Sequence, residues 1–83
     1  MLWRILGRMA EDRELLDLFE AAAKRGHRCR IVYRDRLGEH HAVMAVPREC
    51  RTVDGEAWLF FLSEAGEELE VRLDDVIILE PQA

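Results

Sequence analysis

The sequence predicts a mainly β fold: one N-terminal helix followed by five short antiparallel strands bent into a small barrel. Three observations point there. Apolar residues recur at helical spacing as far as Gly26, and beyond it the period drops to two. Four of the five glycines, at 26, 38, 55 and 66, stand where one periodic segment gives way to the next. Finally, a flat sheet this small would expose two edges, which a barrel removes. The 83 residues are enough for one core. They divide into an apolar arm or short helix over 1–10, a helix over 11–26 and the barrel over 27–83.

In the arm, Leu2, Trp3, Ile5, Leu6 and Met9 form an apolar set that packs on the barrel or on a second copy. The helix carries Leu15, Leu18, Phe19, Ala22 and Ala23 on one side, widened by Leu16. Its first turn is acidic, with Glu11, Asp12 and Glu14, and its last holds Lys24 and Arg25; both agree with the helix dipole. Gly26 ends it.

The first strand alternates Cys29, Ile31 and Tyr33, facing inward, with Arg28, Arg30 and Arg34. After a turn at Gly38, HHAVMAV is the second strand, and Pro47 closes it because proline cannot donate to a ladder. The following stretch to the Asp54-Gly55 turn is expected as a loop. EAWLFFLS is the third strand. EELEVRL is the fourth, with Leu69, Val71 and Leu73 inward and Glu68, Glu70 and Arg72 outward. Asp74-Asp75 is a tight turn, with Leu73 and Val76 in the core on either side and Asp74 bonding nearby backbone N–H groups. VIILE, before Pro81, is the fifth strand.

Composition restricts the function. Apolar residues make up 49% and charged residues 35%, a folded rather than a disordered balance. No apolar run approaches the ~20 residues of a membrane-spanning helix. The N-terminal stretch, broken by arginines, lacks a cleavage signature, so a cytoplasmic protein without membrane association is expected. The net charge of −5 is unevenly spread. Residues 1–30 hold seven Lys/Arg against five Asp/Glu, and 31–55 hold four of each. Residues 56–83 hold Arg72 against eight acids, so a nucleic-acid surface would have to turn that third away.

Catalytic constellations are missing. Ser63 and Thr52 are the only hydroxyl nucleophiles of their kinds, and neither lies in a GxSxG context. His27, Cys29, His40, His41 and Cys50 lack the paired spacing of a zinc site, so no metal and no cofactor are expected. Cys50, between Arg48 and Arg51, is placed where cations would lower a thiol pKa, but no base accompanies it. The reading is a binding module, not an enzyme. Arg28, Arg30, Arg34 and Arg36 offer a basic face, and Trp58 could stack a base upon it.

FEAAAKRGHRCRIVYRDRLGE, with Ile31-x-Tyr33-x4-Gly38, resembles the opening of a WYL domain, the Sm-like barrel of many bacterial transcription regulators. Val46-Pro47, Trp58-Leu59-Phe60 and RLDDV from Arg72 to Val76 fall where that family has a proline-ended strand, its Trp-Tyr-Leu and its RLDRI. The likeness runs from Phe19 to about Glu80, with Asp75 standing where the family has its second Arg. It implies a five-stranded antiparallel Sm/SH3-like barrel. It also implies a role in transcription regulation, sensing a ligand or nucleic acid through Arg28, Arg30, Trp58 and Arg72. The stretch from Glu56 to Val76 is also similar to the ending of the Rho-binding antiterminator family, called Rof. That likeness implies the same fold, but with Glu67, Glu68, Glu70 and Asp75 set against a basic protein such as the Rho termination factor.

Overall fold

A computed structural model describes residues 12–82. The arm residues Leu2, Trp3, Ile5, Leu6 and Met9, and Glu11, lie outside them. Helix α1 (Asp12–Arg25) precedes strands β1 (Cys29–Arg34), β2 (His40–Val53), β3 (Glu56–Ser63) and β4 (Glu68–Arg72). A 3₁₀ turn (Leu73–Asp75) leads into β5 (Val76–Pro81). All strands pair antiparallel in one sheet of order β4-β3-β2-β1-β5. No ladder joins β4 to β5 among the described residues, so the sheet is open at that seam while keeping a small barrel-like form.

The core follows the periodicities. Leu15, Phe19 and Ala22 of α1 are buried, with Leu16 and Leu18 half-buried against the same cluster. They meet Cys29, Ile31, Ala45, Leu59, Phe61, Val71, Leu73, Val76 and Leu79 from the sheet. Phe19 and Phe61 cross edge to face, 5.2 Å between centroids, an arrangement worth about 0.5–1.5 kcal/mol beyond the area it buries. The helix ends in a Schellman motif: the His27 amide donates to the Ala22 carbonyl at 3.0 Å and the Gly26 amide to that of Ala23 at 3.2 Å.

Two expectations are corrected. β2 does not stop at Pro47 but runs on to Val53, so the expected loop is strand. The ladder skips a residue there, pairing Pro47 with Phe61 and Glu49 with Phe60, which leaves Arg48 as the extra residue of a bulge. A bulge is a place in a sheet that tolerates proline, because the ladder is already interrupted. Asp74, expected to bond backbone amides, is exposed and caps nothing; the 3₁₀ turn has no side-chain cap. The flanking residues do behave as expected: Leu73 and Val76 are buried.

Two hairpins share one construction. The Asp35 amide donates to the Glu39 carbonyl at 2.9 Å and the Gly38 amide to the Asp35 carbonyl at 3.0 Å. Ser63, Gly66 and Glu67 repeat that pattern at 2.8 and 3.0 Å. Both are three-residue loops ending in a left-handed bulge residue, where glycine is favoured. The β2–β3 hairpin is tighter, with Asp54 at φ 52° and Gly55 at φ 81°, the two positive values of a type I′ turn.

Candidate ligand groove

The first hairpin is locked by its own first residue. Asp35 Oδ1 accepts from the amides of Leu37 at 2.8 Å and Glu39 at 2.9 Å. Its Oδ2 meets Nε2 of His41 at 2.6 Å, and the His41 ring stacks on Tyr33 with centroids 5.3 Å apart. The His41 bond, followed by the amide of Glu39, holds the Asp35 carboxyl below its ordinary value. Tyr33 is therefore not wholly the inward core residue that alternation suggests. It is half-buried, packed on the core on one side and turned to a groove on the other.

That groove, about 820 Å³, is lined by Tyr33, Arg34, Asp35, Arg36 and Gly38. Trp58, Glu70, Val71, Arg72 and Asp75 complete the lining. β3 and β2 separate β4 from β1 in the sheet, so the curl of the sheet brings the β4 residues to the β1 hairpin. Trp58 and Arg72 are direct cross-strand partners, and Glu56 lies on the diagonal to Arg72. The Arg72 guanidinium donates from Nη1 to Glu56 at 2.8 Å and from Nε to Asp75 Oδ2 at 3.2 Å. These contacts, Asp75 first, raise its already high pKa. Asp75 also reaches Arg34, 3.6 Å from Oδ1 to Nη2. The register explains this: β1 pairs Tyr33 with Val76, which sets the neighbouring Arg34 and Asp75 side by side.

Of the residues read as a ligand face, the fold unites Trp58 and Arg72 and separates Arg28 and Arg30. Arg28 pairs with Glu64 at 2.7 Å, and Arg30 lies 4.0 Å from Glu80, its ladder partner. Neither lines the groove. The acidic set is likewise divided. Glu67 sits in the β3–β4 hairpin, its amide donating to Ser63 Oγ at 3.1 Å. Glu68 borders a second depression of about 440 Å³ with Arg48, Glu49, Arg51 and Phe60, where Arg51 covers the Phe60 ring at 4.7 Å. Glu70 borders both depressions, and Asp75 lies in the larger.

Sequence reasoning missed the hairpin's contribution. The sequence presents Arg34 and Arg36 only as a basic face and points to no role for Asp35 or Glu56. The available signal was Asp35-x-x-Gly38 directly after Tyr33, which fixes a turn beside an aromatic ring. Of the two thiols, Cys50 differs from expectation. Burial pushes Cys29 up to about 12. Burial, then Glu20, pushes Cys50 up rather than down, while Arg51 is turned to Glu49 at 2.7 Å. Both cysteines are free. Among the described residues no group of three or more His, Cys, Asp or Glu side chains could hold a metal ion. No helix among them is long and apolar enough to cross a membrane.

No protein-family model and no curated protein matches the chain. Among solved structures, proteasome accessory factor B/C (PafBC) of Arthrobacter aurescens is similar in fold, with a TM-score of 0.77 at 19% identity. The match covers 87% of this chain and 12% of PafBC, so what is shared is the fold of a small part of that protein.

Proposed function

We propose that the chain is a WYL-like regulatory binding module that takes a phosphate-bearing, ring-bearing ligand in this groove. A nucleotide or a single-stranded nucleic acid has that chemistry, and its use would be in transcription regulation. The module binds and does not catalyse. Support comes from two directions: the motifs that resemble WYL domains, and the fold shared with part of PafBC. One observation carries the reading. Trp58 and Arg72, cross-strand partners, line the same groove of about 820 Å³ as Tyr33 and Arg36, which gathers flat rings and guanidinium groups at one site. Aromatic side chains stack bases at about 1–3 kcal/mol per base, and arginine supplies the phosphate contact. The acidic-partner alternative rests on fewer residues, because Asp75 is engaged by arginines and Glu70 borders the groove.

The test uses a Trp3→Phe background, in which Trp58 is the only tryptophan. Octauridylate and uridine 5′-monophosphate are titrated separately at about 50 mM salt, where electrostatic binding is strong. Quenching of Trp58 is expected, with affinity reduced roughly tenfold by Arg36→Gln and by Arg72→Gln. A response to the monophosphate alone defines a single-nucleotide site, and one to the oligomer alone a strand site. An unquenched Trp58 with both ligands refutes the proposal.

A further inference from the structure

The groove is not the basic surface that its arginines suggest. Its lining carries Arg34, Arg36 and Arg72 against Asp35, Glu70 and Asp75, three formal charges of each sign. The acids are not equivalent. Asp35 is spent on its own hairpin and on His41. Glu70 has no ion pair among the described residues. Asp75 alone holds two of the three arginines, Arg72 through Nε and Arg34 through Nη2. Its side chain is 19% exposed, against 41% and 49% for the arginines, so it sits behind them and draws both inward. Arg36 is the groove arginine without an ion pair among the described residues.

We infer that Asp75 is a built-in competitor: its carboxylate occupies the Arg34–Arg72 pair where an anionic group of a ligand would dock, and so sets how strongly the groove accepts anions. This rests on the groove being the binding site. Both oxygens of Asp75 are used, one on each arginine, much as a ligand phosphate would span the same two groups. The competition is a balanced one. Both arginines are partly exposed, where ion pairs contribute little, so an incoming phosphate faces a small cost in displacing the carboxylate. Arg36 supplies a first contact that requires no displacement, and Trp58 and Tyr33 supply stacking that is indifferent to charge. The wild-type groove accordingly favours a ligand with a ring and few charges. A polyanion gains little from it until Asp75 gives way.

The experiment compares wild type, Asp75→Asn and Glu67→Gln for octauridylate affinity across a salt series. Asp75→Asn keeps an oxygen for the Arg72 Nε–H while removing the charge. Glu67→Gln makes the same charge change in a hairpin that does not line the groove. Asp75→Asn is expected to bind about tenfold more tightly. Its log–log salt slope should steepen by about 1.4, from ~0.7 per phosphate neutralised for two released arginines. Glu67→Gln should match wild type. Equal binding by wild type and Asp75→Asn overturns the competitor role and leaves the groove reading standing. An equal gain in Glu67→Gln overturns it too, since net charge alone would then act. If no variant binds, both readings fail. Should Asp75→Asn not fold, the wild type still decides by nuclear magnetic resonance: the Arg72 Nε–H signal must move as octauridylate saturates the protein. A signal that stays still contradicts displacement.

Discussion

Asp35 shows how a single side chain fixes local geometry. Its two oxygens satisfy two turn amides and the His41 ring, and His41 in turn supports Tyr33 at the groove wall. The sign of its pH effect follows from the direction of its shift. Asp35 titrates below its ordinary 3.8 when folded, so the hairpin bonds add stability above that value. That contribution is lost as pH falls through the lowered folded value. The amide shifts of Leu37 and Glu39, followed against pH, should therefore move together with a midpoint below 3.8. A midpoint at or above it contradicts the assignment. Asp75, equally, is visible in the sequence as the acid that stands where the RLDRI pattern has its second Arg. Its two arginine partners are not, because the Arg34 contact depends on the β1–β5 register across 41 residues.

At the scale of elements, turns were easier to read than strand ends. Glycine marks both three-residue hairpins, and Asp54-Gly55 marks the type I′ turn. Replacing Gly55 by Ala forces a side chain into φ 81°, a left-handed conformation that costs about 1–2 kcal/mol. Thermal unfolding should then fall by about 4–8 °C for each kcal/mol lost, as judged for a domain of this size. An unchanged midpoint would mean that the turn is not as drawn. The expected β2 is too short for a physical reason: Pro47 signals a ladder break, and sequence alone does not separate a strand that ends from one that bulges and continues. Sheet pairing on both sides of Arg48 supplies the answer. Similarly, the outward alternation of Arg28 and Arg30 was correct, while their partners Glu64 and Glu80 came from distant hairpin and strand.

At the scale of the molecule, α1 holds the curl of the sheet through a thin core. Phe19 is fully buried against Phe61, and truncating such a side chain costs about 3–5 kcal/mol. A domain of this length has about 4–12 kcal/mol in total. Phe19→Ala should thus lose a large share of its stability in urea denaturation. If it instead unfolds at the wild-type midpoint, the helix does not secure the sheet. The helix, five strands and most of the core followed from periodicity and glycine placement. The groove did not, because its lining combines β1 and the turn after it with β3, β4 and the 3₁₀ turn, and β1 neighbours neither β3 nor β4 in the sheet.

The central claim, that the Tyr33–Gly38 hairpin and the Trp58–Arg72 pair form one binding groove, has a direct measurement. Octauridylate is added to uniformly ¹⁵N-labelled protein and amide shifts are mapped. Shifts are expected at Tyr33 to Gly38, at Trp58, and from Val71 to Asp75, with Arg28, Arg30, Glu67 and Glu68 unmoved. Shifts centred on Arg28 and Arg30, or none at all, would contradict it.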